Sequence, residues 1–337
     1  MKREKVLDVY KGFLIILVVT AHYNRGLLHD IIFLFHMPLF FIISGYLLDE
    51  SKIRETSYII GKTKQLIIPY AIYLLLDFII VRRAFSLNSI AHMIWGGRAL
   101  SGTYWYITCF LFALQLFSFC LKHFPDRLTK LLIFVGGGIS VIESHLSERI
   151  DFLKSPGIPW NLDVALFALV YLAIGYYNKR TIGRILKSDE RKLNFSAVTL
   201  AVLLSVFCYF NYRNGNPFYY FDMKPIYYKE LFSAMVIPCA FGIVIGRLIH
   251  WGAKCRILDW LLIALAYLGQ MTLPIMFLHV PLNTWKDALG YGRLFYILIG
   301  IGVPVIFTAC FNSFPIMRKL FGMPDIKGYQ SLPQENH

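Results

Sequence analysis

The sequence predicts an all-α, polytopic membrane bundle of about ten transmembrane helices, with both termini cytoplasmic. Three observations lead there. Only 16% of the 337 residues are charged while 57% are hydrophobic, against about 25% charged in a typical soluble domain. The apolar residues form long continuous runs rather than alternating, as helices in lipid require and barrel strands do not. The basic residues fall between those runs and collect on alternate sides of them, which sets the orientation.

The expected spans, in chain order, lie at about 6–24, 31–48, 66–81, 104–121, 129–142, 162–177, 194–210, 231–249, 270–286 and 294–311. The first is read as a span and not a cleavable leader, because it lacks a small-residue cleavage pattern and further spans follow. The fifth is short and contains Gly136-Gly137-Gly138. The apolar stretch Ile257 to Leu268 opens near Asp259 and is left as a separate span, an interfacial helix or half of a broken one. Counting it as an eleventh span would move the basic C-terminal tail outside. With ten, most of the 34 Lys and Arg lie inside, as the positive-inside rule favours. The membrane domain is set at 1–324 and a disordered cytoplasmic tail at 325–337.

The formal net charge is +14. Its distribution between apolar runs assigns it to membrane topology and excludes a nucleic-acid partner. The six cysteines include no C-x-x-C pair and are read as small apolar side chains, neither disulfides nor metal ligands. Tyr and Trp near the predicted borders, as in Tyr104-Trp105-Tyr106, are explained first as interfacial anchors.

The candidate chemistry sits in the hairpin Val6 to Glu50. His22 lies fourteen residues beyond Asp8, roughly 21 Å along a helix. His36 lies about five residues into the returning run, so the two imidazoles reach similar depth near the outer face. Ionisable groups within a membrane are costly and mark function by default, and histidine is the usual general base near neutral pH. A haem or metal held by His22, His36 and His279 is an alternative use of the same rings, but no carboxylate or thiolate is spaced to join them. Pro38 interrupts the second run and frees backbone groups that can line a cavity. At the inner mouth Arg3, Asp8, Lys11, Lys62 and Lys64 form a basic vestibule suited to an anionic donor. No Gly-rich phosphate loop and no nucleophile elbow are present.

Arg3-x4-Asp8-x2-Lys11-Gly12, His22 and the run FHMPLFFIISGYL resemble the acyltransferase family 3 membrane enzymes, most of all the fucose 4-O-acetylase type of sugar O-acetyltransferase. Leu66-Ile67-Ile68-Pro69-Tyr70, Tyr104-Trp105-Tyr106-Ile107 and Leu278-His279-Val280-Pro281 support the match over nearly the whole chain. The resemblance implies acetyl-CoA or another acyl-CoA as cytoplasmic donor. It implies an extracytoplasmic polysaccharide or lipid-linked glycan as acceptor, and residence in the bacterial cytoplasmic membrane among its lipids. It maps the family's essential helix-1 histidine to His22 and its second histidine to His36. Tyr104, Trp105 and His279 become candidates for the acceptor side. Arginines often important before the third span are replaced here by Lys62-Thr63-Lys64-Gln65, so donor phosphates would meet point charges rather than bidentate guanidinium groups. A proton-coupled transporter using the histidines as relays is the main rival; it favours inverted internal repeats, and none are visible. A non-catalytic assembly subunit is the other.

Overall fold

A computed structural model describes residues 5–83, 86–100, 102–228 and 230–326. Among these residues the chain is helical, and an isolated antiparallel bridge between Asp222 and Tyr227 is the strand-like pairing present. The first half contains α1 (Lys5–Ala21), α2 (Leu27–Phe33), α3 (His36–Tyr46), α4 (Thr56–Leu76), α5 (Leu87–Trp95), α6 (Trp105–His123), α7 (Asp126–Ser147) and α8 (Asp151–Lys154). The second half contains α9 (Leu162–Tyr177), α10 (Lys179–Lys187), α11 (Arg191–Tyr212), α12 (Leu231–Gly252), α13 (Asp259–Gln270), α14 (Thr272–Leu282), α15 (Lys286–Leu289), α16 (Arg293–Phe311) and α17 (Pro315–Phe321).

Among the described residues, eight helical segments are long and apolar enough to cross a membrane, and the α13–α14 pair adds a ninth if it is one broken span. At 17 residues, α1 is roughly 26 Å long, a little under the ~30 Å of a hydrocarbon core. It is nevertheless central, with Leu14, Ile15 and Val19 essentially without exposure.

The stretch 257–268 proves to be half of a broken element. α13 and α14 are bent by 80° at Met271. The expected straight span 270–286 is therefore replaced by an 11-residue half-helix, roughly 16 Å long and too short to cross alone. Proline explains the break. Pro274 stands third in α14, and its ring excludes a helical carbonyl at Gln270, four residues back. Pro38 stands third in α3 and acts on Leu34 in the same way. The interruption that the sequence assigned to Pro38 thus falls one turn earlier, at Leu34-Phe35, where Phe35 has φ −141°. Each half-helix carries one histidine, His36 in α3 and His279 in α14.

The fifth span is not short: α7 runs for 22 residues. Gly136 and Gly137 sit in mid-helix against Leu166 and Val170 of α9, so the glycine run serves packing and does not end the helix. The basic stretch after the sixth span, expected as loop, forms α10. Of the cysteines, Cys109 and Cys120 are buried as expected, whereas Cys255 and Cys310 are exposed. In the expected tail, Arg318 pairs with Asp325 at 3.1 Å, and residues 327–337 lie outside the described residues.

Two backbone-on-backbone crossings hold the centre. A Cβ at Gly12 of α1 would run into the Leu265 carbonyl of α13, and one at Gly269 of α13 would run into the Asp8 carbonyl. Gly45 of α3 and Gly175 of α9 meet the Leu172 and Ile42 carbonyls in the same reciprocal way. Small residues at such crossings let helices approach where lipid supplies no hydrophobic drive.

Candidate active site

A cavity of about 450 Å³ follows the free face of α1. Lys11, Ile15, Val18 and His22 line it, spaced by four, three and four residues, which is one stripe of a helix. From Lys11 to His22 the stripe rises roughly 16 Å. Beyond His22 the wall continues with Arg25 and His29. Opposite stand Phe33, His36, Phe40 and Ser44 from the α2–α3 span and Trp105 and Tyr106 from the start of α6. Thr272 and Met276 of α14, Tyr296 of α16, and Asp222 and Lys224 from the loop before α12 also line it.

The imidazoles are set in one tautomer. The Nδ1 of His22 lies 2.8 Å from the Val18 carbonyl oxygen, and that of His36 lies 2.9 Å from Ile32. The Nδ1 of His279 lies 2.9 Å from Ile275, and that of His29 lies 2.9 Å from Ala21. A carbonyl can only accept, so each Nδ1 of a neutral ring carries the hydrogen and each Nε2 keeps its lone pair. For His22, His36 and His279 the acceptor is four residues back, a carbonyl of the same helix or turn. The site therefore presents several Nε2 bases whose orientation the backbone sets.

Phe33 organises these rings. Its centroid is 3.8 Å from that of His29, 4.7 Å from His36 and 5.9 Å from His22. On its other side His22 meets His279, with centroids 5.0 Å apart. His279 is fully buried, and its Nε2 has no hydrogen-bond partner among the described residues. Such an orphaned lone pair is unusual in a buried side chain.

The structure brings Lys11, His22, His36 and Trp105 into one cavity. Asp8 is buried beside it and pairs with Lys11 at 2.7 Å. His279 backs His22 from outside the lining. Tyr104 turns away: its hydroxyl donates to the Tyr73 carbonyl at 3.2 Å, and it borders a separate smaller pocket with Asp77 and Phe277. Lys64 is exposed on α4, and the Lys62 ammonium lies 5.6 Å from the centre of the Tyr58 ring. Neither lysine lines the cavity. Arg3 lies outside the described residues.

Sequence reasoning passed over His29, although His22, His29 and His36 recur at intervals of seven. It also passed over Tyr106, which borders the cavity beside Trp105 and shares a hydrogen bond with Ser44. Asp222 and Lys224 carried no local signal, being nearly two hundred residues from the hairpin they face. Burial pushes the Asp222 carboxyl up to about 7, against the lowering effects of the Lys224 backbone N–H and of the Lys224 and Arg25 charges. Among the described residues no group of three His, Cys, Asp or Glu side chains could hold a metal ion.

A family model for the acyltransferase domain of family 3 matches residues 4–318. No curated protein and no solved structure matches the chain. The matched region takes in every element that lines the cavity, from α1 through α16, so the chain belongs to acyltransferase family 3 and is a multi-pass membrane acyltransferase.

Proposed function

We propose that the protein moves an acetyl group from cytoplasmic acetyl-CoA to a hydroxyl of an extracytoplasmic polysaccharide, or of its lipid-linked precursor, in the bacterial plasma membrane. One observation carries the reading: a single cavity has a lysine at one end and, roughly 16 Å along the same helix stripe, a histidine with its Nε2 lone pair free. That arrangement suits a donor whose charged end stays at Lys11 while a thin arm carries the thioester toward His22. The acceptor enters from the Arg25 end.

In the reaction the Nε2 of His22 takes the proton of the acceptor hydroxyl as its oxygen attacks the thioester carbonyl. The tetrahedral intermediate collapses, the carbon–sulfur bond breaks and the CoA thiolate leaves. The proton on His22 passes to the thiolate or to solvent, which restores the neutral base. His36 acts as an orienting acceptor, because a neutral ring whose Nδ1–H is engaged offers only a lone pair to the cavity.

The test is His22→Ala in producing cells, followed by mass spectrometry of the surface glycan at matched protein levels. Loss of one acetyl mass per acylated unit is expected. Full acetylation in the variant would sink the reading.

A further inference from the structure

The loop before α12 points to a second role in the same cavity. Asp222 is the carboxylate among the described residues that line it. It stands at the Arg25 end, across from the imidazoles, on a tight turn closed by reciprocal backbone hydrogen bonds with Tyr227 at 3.0 and 2.9 Å. The turn is anchored from several sides. Lys224 Nζ donates to the carbonyls of Leu100 at 2.7 Å and Gly102 at 3.1 Å. Met223 and Ile226 are buried, and the Ser144 hydroxyl donates to the Ile226 carbonyl.

The turn is also strained. Ile226 has φ 55°, a left-handed conformation that a β-branched residue rarely adopts. Strain of this kind persists only where surrounding contacts over-determine the backbone, and it concentrates at functional sites. Here those contacts hold the Asp222 side chain against the cavity, beside Lys224 of the same turn. Its Oδ1 accepts only weakly from the Lys224 N–H, at 3.2 Å.

We propose that Asp222 is the acceptor-binding carboxylate of this enzyme. It takes two neighbouring hydroxyls of a sugar ring and so presents an adjacent hydroxyl to the Nε2 of His22. This inference rests on the acyl-transfer reading of the cavity and names the acceptor chemistry as a vicinal diol of a glycan. A carboxylate has two oxygens and several lone pairs, so it can accept from two adjacent hydroxyls at once, in charge-assisted hydrogen bonds. Acting on substrate position and not on the proton, Asp222 governs acceptor binding and leaves the donor untouched.

The experiment uses the full-length protein in lipid vesicles, with acetyl-CoA as donor and de-O-acetylated surface polysaccharide from the producing cells as acceptor. Wild type is compared with Asp222→Asn, which keeps an Oδ1 acceptor for the Lys224 N–H and so preserves the turn. The expected result is a rise of tenfold or more in the KM for polysaccharide, with the KM for acetyl-CoA unchanged. Arg25, Lys224, Tyr220, His22 and His29 are the charged and titratable groups around Asp222. As pH rises through about 7 the Asp222 carboxylate forms, so the wild-type KM for polysaccharide should fall there, and that step should vanish in Asp222→Asn. An unchanged polysaccharide KM, or equal changes in both KM values, overturns the subsite. Absence of transfer by the wild type overturns the acyl-transfer reading and the subsite with it. Transfer by wild type with no effect of Asp222→Asn overturns the subsite alone.

Discussion

His22 and His279 meet edge to face, with ring centroids 5.0 Å apart and planes at 81°. The contact joins α1 to the half-helix α14 and brings residues more than 250 positions apart behind one base. His279 does not itself line the cavity, so its influence passes through the position of the His22 ring. An aromatic pair is worth about 0.5–1.5 kcal/mol, or at most roughly a tenfold change in rate. His279→Phe should therefore lower kcat by up to about tenfold with both KM values held, whereas His22→Ala should lower it by about 10²–10⁴. Steady-state kinetics on vesicle-reconstituted protein separate the two.

Lys11 is the donor-side candidate that borders the cavity, while Lys62 and Lys64 do not. A hydrogen bond to a charged group contributes about 1.5–3 kcal/mol, equivalent to roughly 10- to 100-fold in affinity. Lys11→Ala combined with Asp8→Asn removes the cation without leaving its buried partner charged. That pair should raise the acetyl-CoA KM by at least about tenfold, and Lys64→Ala should change it less than about twofold. An equal effect of both would move donor binding away from the cavity.

Arg98 and Asp163 form a buried ion pair, their side chains 3% and 4% exposed, with Glu143 against Asp163. Removing one partner of such a pair costs about 3–5 kcal/mol, because the other charge stays buried. Arg98→Met should lower the melting temperature sharply in detergent. Adding Asp163→Asn removes the stranded charge, keeps an acceptor for the Val164 N–H that Asp163 now caps at 2.8 Å, and should recover most of the loss.

Gly269 packs on the Asp8 carbonyl, while Gly61 of α4 has nothing within 4 Å of an added Cβ. Gly269→Ala should destabilise by about 1–3 kcal/mol or more through overpacking at the α1–α13 crossing. Gly61→Ala should be neutral or stabilise by up to about 1 kcal/mol from helix propensity. Thermal unfolding of the two variants in the same detergent checks the contrast.

Much of the fold was legible from hydropathy, because lipid admits only runs whose backbone is satisfied internally. What hydropathy misplaced were the proline effects, since a proline disrupts the turn before it and not its own position. That rule shifts the break in the second run to Leu34-Phe35 and splits the expected span 270–286 at Met271.

By itself the sequence determined that the chain is a helical membrane protein, that His22 and His36 are histidines set within its apolar runs, and that Lys11 shares a helix with one of them. These follow from composition and from the regular rise of a helix, which are local properties. Only the tertiary structure decided that Lys62 and Lys64 stand outside the cavity, that Tyr104 faces away while Tyr106 faces in, and that His279, Asp222 and Lys224 close around His22. Such neighbours depend on which helix faces meet and where a long loop folds back. Those are set by packing between residues far apart in the chain, and no local pattern records them.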